Sequence, residues 1–154
     1  MSEFTVRPVG YVTSSRTERL DDDWGRVESV IGLDDECFTG EALAGLEGFS
    51  HVEVIFLFDG LDETKVAVGA RHPRGNEAWP MVGIFAQRAS SRPNRLGLTT
   101  CEVLAVDGLE IRVRGLDAID GTPVLDIKPY MREFGPRGPV TQPAWSSQLM
   151  VGYW

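Results

Sequence analysis

The sequence predicts a mainly β protein, a single antiparallel or mixed β-barrel with short helical insertions. About six or seven runs are rich in β-branched and aromatic residues and are separated by turn-forming residues. These runs do not alternate with long helical segments, as they would in a doubly wound α/β sheet. The dipeptide Asp107-Gly108, between two β-patterned runs, is a strong hairpin signal. With 154 residues, the chain is expected to form one domain over 1–154.

In the first half of the chain, the clearest strand is predicted at residues 50–59. Val52, Val54, Phe56 and Phe58 fall on one face of it because successive side chains in a strand alternate. Strands are also predicted at residues 4–12 and 26–33. Residues 38–48 resemble a short helix that Gly48 would stop.

The second half contains a long connection followed by a series of strands. A loop of about 20 residues, 60–79, is unusual inside a compact domain and typical of a functional segment, with one helical turn expected at 62–68. The further predicted elements are strands at 81–87, 96–106, 109–116 and 123–128, and a terminal helix at 144–154. The tail, residues 131–154, is expected to pack on the barrel or at a subunit interface.

Composition is that of an ordinary soluble globular protein, with 42% hydrophobic and 25% charged residues. The longest apolar run is too short to span a bilayer, and the N-terminal segment lacks the features of a signal peptide. We therefore expect a cytoplasmic protein without a membrane partner. Cys37 and Cys101 are expected to be reduced, small, buried residues.

The net charge of −8 is unevenly distributed. Residues 71–95 carry one glutamate and five arginines: Arg71, Arg74, Arg88, Arg92 and Arg95. Such a cluster can form an anion-binding patch or a solvated loop, and the sequence leaves both open. The run Asp21-Asp22-Asp23 is interpreted as a solvated acidic loop, because no second ligand cluster accompanies it at a spacing that suits a metal ion.

Several common chemistries have no motif in this sequence. There is no G-x-G-x-x-G after a strand, no phosphate-binding P-loop, no C-x-x-C pair, no H-E-x-x-H and no nucleophile elbow. What remains is the arginine cluster with Asn94, adjoining a loop that contains Asp117 and Asp120. Carboxylates and arginines together suit a zwitterionic ligand, so the residues predict a binding site without naming a reaction.

Three segments carry a family resemblance: GLEGFSHVEVIFLFD, VGIFAQRASSRPNRLGLTTCEVLAVDG and LDAIDGTPVLDIKPY. They resemble the TsaA-like, TrmO-type family of β-barrel methyltransferases. The resemblance implies S-adenosylmethionine as cofactor, use of that cofactor without a Rossmann fold, and a homodimer. It also implies methylation of N6 of threonylcarbamoyl-adenosine in tRNA. Trp145, Tyr153 and Trp154 would suit a subunit interface or cap the barrel.

The resemblance also implies which residues line the cofactor site. The matching positions are Arg88, Arg92, Asn94, Leu98, Asp117, Asp120, Gly121 and Thr122, together with Asp59 and Gly60 after the central strand. Arg88 would face the methionine carboxylate or a substrate anion. The D-G-T turn could equally serve only its backbone geometry. No catalytic residue is identified; Asp120 and Asp126 are candidate bases by location alone.

Two departures from the family pattern keep the methyl acceptor open. The family segment P-R-Q-P-G is replaced by DDDWG at 21–25, and the frequent His-Gln after the central strand is Asp59-Gly60. With the acidic net charge, these departures leave three possibilities. The chain could methylate tRNA, methylate a small molecule or other acceptor, or bind S-adenosylmethionine without turnover.

Overall fold

A computed structural model describes all residues, 1–154, and consists mainly of β-strands. Six strands close into a barrel in the order β1-β2-β7-β6-β3-β8, and all the pairings are antiparallel. The strands are β1 (Gly10–Ser14), β2 (Glu28–Leu33), β3 (His51–Leu57), β4 (Ala70–Arg71), β5 (Val82–Gly83), β6 (Leu96–Asp107), β7 (Glu110–Arg114) and β8 (Pro123–Pro129). A separate ribbon joins β4 to β5. The predicted barrel is confirmed, with antiparallel pairing throughout.

The barrel interior is filled by alternate residues of its strands. Val52, Val54 and Phe56 of β3 are at most 1% exposed, as their alternating pattern predicted. Ile111 and Val113 of β7 are fully buried. Burying an aliphatic or aromatic side chain of this size contributes roughly 1.5–3 kcal/mol each. The inward-facing row of each strand therefore accounts for much of the stability of the barrel.

Several predicted elements differ in the structure. The first strand begins at Gly10 rather than at residue 4. The helix predicted at 38–48 is two 3₁₀ turns, Gly40–Leu43 and Leu46–Gly48. Glycine is unfavourable inside an α-helix, and this segment contains three glycines.

The strand predicted at 81–87 is also shorter than expected. Only Val82–Gly83 pairs, with β4, and a 3₁₀ turn, Ile84–Ala86, follows. The six barrel strands already pair with one another around a closed ring, which leaves no free edge for this segment. Cys101 is buried as expected, but the expectation for Cys37 is wrong because its side chain is exposed.

Three loops meet at one end of the barrel, which we call the mouth. Because neighbouring strands are antiparallel, the loops at 15–27, 58–95 and 115–122 all leave the barrel at this end. The β6–β7 hairpin turn lies at the opposite end, at the predicted Asp107-Gly108 position. All sequence-predicted cofactor residues except Leu98 lie in the mouth loops, and Leu98 lies near the mouth end of β6.

The C-terminal segment returns to the mouth after β8. Helix α1 (Ala144–Leu149) leads into residues that pair with the 15–27 loop. The amide of Asp23 donates to the carbonyl of Gly152 at 3.0 Å, and that of Trp24 to Tyr153 at 2.8 Å. None of the helices combines the length and apolar character required to cross a membrane.

The close contact between Gly97 and the Phe56 ring allows the packing of the barrel to be tested by mutation. A Cβ atom added to Gly97 would lie 2.4 Å from the ring of Phe56, whereas one added to Gly32 would meet nothing within 4 Å. We expect Gly97→Ala to destabilise the protein by about 1–3 kcal/mol through overpacking. Gly32→Ala is the matched control and should be neutral, or stabilising by up to about 1 kcal/mol. Urea unfolding measures both, and equal stabilities of the two variants would contradict the packing account.

Candidate functional site

The Arg88 side chain is hydrogen-bonded to the start of β6, and most of its guanidinium N–H groups remain available to a ligand. Its Nη2 donates to the carbonyl of Leu98, the side chain is exposed, and no carboxylate lies within ion-pair distance. The preceding residue, Gln87, is buried and donates through Nε2 to the carbonyls of Arg71 at 3.1 Å and Val82 at 2.9 Å. Arg88 is therefore a positioned cation able to bind an anion at the mouth.

The arginines that follow stabilise the loop itself. Arg92 Nη1 donates to the carbonyl of Gln87 at 2.6 Å. Arg95 donates to the carbonyl of Leu61 at 3.0 Å and pairs with Glu63 at 2.7 Å. Asn94, between them, has a left-handed backbone with φ of 63° and an exposed side chain. Asparagine tolerates this conformation better than most residues, so Asn94 suits the turn as well as a ligand.

Asp117 connects three parts of the chain. One of its carboxylate oxygens accepts a hydrogen bond from Thr99 Oγ1 of β6, and the other accepts from the hydroxyl of Tyr153. Burial, together with the charge of Asp117, raises the pKa of Tyr153 well above its usual range, while the charges of Arg88 and Arg74 oppose this shift. Arg88 is bonded to Leu98 and Asp117 to Thr99, which are adjacent residues of β6, so the structure holds both residues at neighbouring positions of this strand.

The remaining residues of the Asp120-Gly121-Thr122 turn close the barrel between β1 and β8. Asp120 accepts a hydrogen bond from the amide of Ser14 at 2.9 Å. Gly121 has φ of 80° and donates to the carbonyl of Val12 at 2.7 Å. Thr122 is buried, and its hydroxyl donates to the carbonyl of Ile119 at 2.7 Å. The side chains of Asp120 and Thr122 therefore form hydrogen bonds within the protein, and the turn stabilises the closure of the barrel.

Asp59 and Gly60 lie at the mouth, directly after β3, and both are exposed. The guanidinium of Arg19 packs against Gly60 so closely that a Cβ atom there would lie 1.8 Å from Nη2. Arg19 is thus a further cation at the mouth. Arg19 lies far along the chain from the arginine cluster at 71–95, so its place at the mouth is not evident from the sequence.

The two candidate bases are both engaged in hydrogen bonds. Asp120 holds the Ser14 amide, as described above. Asp126 accepts from the amide of Ile127 at 2.9 Å and pairs with Lys128 at 2.7 Å. No cluster of three or more His, Cys, Asp or Glu side chains is arranged to hold a metal ion. The structure therefore offers no evident general base among these residues.

The acidic run at 21–23 is more ordered than a solvated loop. Arg16 Nη1 donates to the carbonyls of Asp22 at 2.8 Å and Asp23 at 3.0 Å, and its guanidinium lies 3.8 Å from the centre of the Trp24 ring. The Asp22 carboxylate pairs with Arg74 at 3.0 Å. Asp21 and Asp23 are exposed, as the interpretation as a solvated loop predicts, whereas Asp22 is half-buried and forms an ion pair.

Sequence reasoning missed Gln87, Thr99 and Tyr153 as members of the site. Gln87 directly precedes a predicted site residue, and Thr99 directly follows one, so adjacency was the available signal for both. Tyr153 lies 36 residues from Asp117, and only the return of the chain to the mouth joins them.

Comparison with known proteins gives a consistent result. A family model described as tRNA-methyltransferase O N-terminal domain matches residues 19–135. A tRNA (adenine(37)-N6)-methyltransferase from Escherichia coli is 35% identical over 141 residues, covering 85% of this chain and 59% of that protein. A probable S-adenosyl-L-methionine-binding protein from Methanothermobacter thermautotrophicus is 38% identical over 140 residues, covering 88% and 96%.

The fold is also similar to a solved structure. The crystal structure of TrmO from Pseudomonas aeruginosa matches with a TM-score of 0.73 and 29% identity, covering 91% of this chain and 61% of that one. Three further relatives are longer still, and the chain spans only 21–38% of their length.

Burial of the Cys101 thiol inside the barrel makes stability depend on pH. Burial, and secondly Asp117, raises the pKa of Cys101 to about 12. An unfolded cysteine titrates near ~8.5, so the unfolded state loses its proton first and stability falls as pH rises from about 8.5 towards 12. We expect wild type to lose up to about 1.4 kcal/mol per pH unit relative to Cys101→Ala, measured by urea unfolding under reducing conditions.

The exposed thiol provides the control for this measurement. The charge of Asp34 also raises the pKa of Cys37, but this thiol is exposed and solvent screens it, so Cys37→Ala should keep most of the wild-type pH dependence. The same slope in wild type and Cys101→Ala would contradict the assignment.

Proposed function

The chain belongs to the tRNA-methyltransferase O family, and we propose that it methylates N6 of an adenine in tRNA with S-adenosylmethionine as donor. The observation that carries this proposal is the mouth cluster, in which Arg88 has no ion-pair partner and is bonded to β6 one residue from the position that bonds Asp117. The names of the relatives support it, in particular the Escherichia coli methyltransferase, which aligns over 85% of this chain. A tRNA substrate would also place the protein in the cytoplasm.

The residues at the mouth fit the chemistry of the proposed cofactor. Its methionine part carries a carboxylate and an ammonium group, which Arg88 and the carboxylates of Asp117 and Asp59 would complement. The exposed apolar side chain of Phe85, 78% exposed, would pack against the adenosine part. When bound, S-adenosylmethionine supplies a methyl group on a positively charged sulfur, already activated for transfer.

The contribution of the protein is then mainly positioning. Asp120 and Asp126 are held in hydrogen bonds, so neither is free to act as a general base without losing one. A rigid mouth can instead hold the acceptor nitrogen in line with the methyl group, which accounts for large rate increases, and the proton displaced from N6 would be released to solvent. Tyr153 and Thr99 would hold Asp117 in place and are positioning residues in this scheme.

A second function is favoured by one observation. The Methanothermobacter relative, which the chain spans almost completely, is named only as a binding protein for S-adenosyl-L-methionine. A module that binds the cofactor without turnover, or a methyltransferase with a small-molecule acceptor, would share the same mouth. The acidic net charge of −8 suits these alternatives better than it suits a general RNA-binding protein.

We propose that the protein is a homodimer, in which an apolar row on the barrel exterior lies at the interface. Ile55 pairs with Leu98 and Leu57 with Leu96, and all four side chains point outward between inward-facing neighbours. Leu96 and Leu98 remain 43% and 46% exposed. Contiguous exposed apolar side chains of this kind are typical of protein interfaces.

The main test is methyl transfer to tRNA. Tritiated S-adenosylmethionine is incubated with total tRNA from a strain that lacks the gene, and digested nucleosides are analysed by mass spectrometry. We expect label in an N6-methylated adenosine derivative. Cofactor binding without label in tRNA would overturn the proposed acceptor, and label in a small molecule of the cell extract would favour the alternative enzyme.

Arg88 provides the corresponding test of the cofactor site. We expect Arg88→Ala to weaken S-adenosylmethionine binding at least tenfold in calorimetry, about the effect of losing one charge-assisted hydrogen bond to the carboxylate. The matched control is Arg132→Ala, an exposed arginine that follows β8 at the opposite end of the barrel. Equal affinities of the two variants would remove Arg88 from the site.

The dimer is tested by light scattering coupled to size exclusion. Wild type is expected at twice the chain mass of 17.0 kDa, and Leu96→Lys is expected to shift it towards the monomer because a charge would be buried at the interface. Val140→Lys, at an exposed position in the tail, should leave the dimer intact. A monomeric wild type would exclude this interface.

A further inference from the structure

A basic cavity lies beside the mouth, and none of its lining residues belongs to the predicted cofactor set. Its volume is about 410 Å³, within the range of ordinary ligand pockets. It is lined by β4, by the turn that follows β4, and by Met81 before β5. Three of the residues lining it are bases: Arg71, His72 and Arg74.

One of these bases, Arg71, has donors with no use inside the protein. Arg71 Nε is buried, and no hydrogen-bond acceptor of the protein is within reach. His72 Nδ1 lies 2.7 Å from the carbonyl of Trp79. Because a carbonyl only accepts, Nδ1 carries the proton and donates it to Trp79, so His72 lines the cavity without offering a free donor. The two Nη groups of Arg71 make no hydrogen bond or ion pair with the protein, so they can donate to an acceptor that enters the cavity.

The third base is already occupied by an internal anion. Arg74 has a left-handed backbone, with φ of 53°, and pairs with Asp22 at 3.0 Å and more distantly with Asp21 at 3.9 Å. The Asp22 side chain is 40% exposed, and such partly solvated ion pairs contribute little to stability. Arg16 holds the backbone of Asp22 independently of Arg74. The pair can therefore open without unfolding the loop.

We propose that this cavity is an oxyanion site that takes a backbone phosphodiester of the RNA substrate, and that Asp22 competes with that phosphate for Arg74. The inference rests on the proposed function. Gln87 links the cavity to the cofactor residues, because it donates to the carbonyl of Arg71 and directly precedes Arg88. A phosphate held by Arg71 would thus lie next to the residues proposed to bind the methyl donor. In a chain of net charge −8, RNA needs such a local basic patch to approach.

Two substitutions of opposite expected effect test the site. The probe is a fluorescein-labelled anticodon stem-loop RNA, and binding is followed by fluorescence anisotropy at several salt concentrations. Arg71→Gln is expected to weaken binding at least fivefold and to reduce the slope of log affinity against log salt by about one. Asp22→Asn is expected to tighten binding severalfold, which a folding defect cannot imitate.

Each substitution has a control with the same change of charge. Arg132→Gln and Asp107→Asn lie at the opposite end of the barrel and should each change the affinity less than twofold. If Asp22→Asn binds RNA no better than Asp107→Asn, Asp22 is not a competitor. If Arg71→Gln binds like Arg132→Gln, the cavity is not a phosphate site.

Further measurements separate this inference from the proposed function. Inorganic phosphate at millimolar concentration should displace the RNA only weakly; full displacement at micromolar phosphate would show a free-phosphate site and overturn the RNA assignment. If wild type methylates tRNA and Arg71→Gln does so with an unchanged KM, the cavity inference fails alone. If wild type binds RNA through Arg71 and methylates nothing, the proposed function fails and the cavity inference stands.

Discussion

The mouth of the barrel depends on the carboxylate of Asp117. Its two oxygens are bonded to Thr99 of a barrel strand and to Tyr153 of the C-terminal segment. Asp117 is half-buried, and a carboxylate away from water is stabilised when its oxygens accept hydrogen bonds. Here each carboxylate oxygen accepts one hydrogen bond from a hydroxyl group. Removing the Asp117 side chain would therefore break the hydrogen bonds that connect the 115–122 loop to β6 and to the C-terminal segment.

The arginines at the mouth divide by their partners. Arg95 and Arg74 each have a carboxylate partner, whereas Arg71, Arg88 and Arg92 have none. A guanidinium without a counter-ion in an acidic protein marks the places where an external anion gains most. Arg92 instead donates to the carbonyl of Gln87 and stabilises the loop. The arginines that remain available to ligands are therefore Arg71 and Arg88, a distinction that their clustering along the chain does not reveal.

The β3 strand and the β6–β7 hairpin could be predicted because their signals are local. A period of two in β3 and an Asp-Gly pair in the hairpin need no knowledge of partners. Residues 81–87 were assigned as a strand on the same local grounds, but the closed barrel has no edge for them, and only Val82–Gly83 finds a partner. Likewise, Arg88 and Asp117 were predictable from motifs, whereas the bond from Tyr153 to Asp117 depends on the path of the whole tail. Local patterns therefore determine which strands form, and tertiary closure determines which side chains meet.

The hydrogen bond from Gly121 to Val12 has a consequence for how the protein folds. This bond, and the pairing of Tyr11 with Pro123 beside it, join residues more than 100 positions apart. Bringing such distant residues together carries a large loop-closure entropy, and contacts of this kind tend to form late and slowly. The loop at 115–122, which connects β7 to β8 and hydrogen-bonds to β1, also contains Asp117. Barrel closure and assembly of the site are then a single late event, and a partly folded chain would have neither.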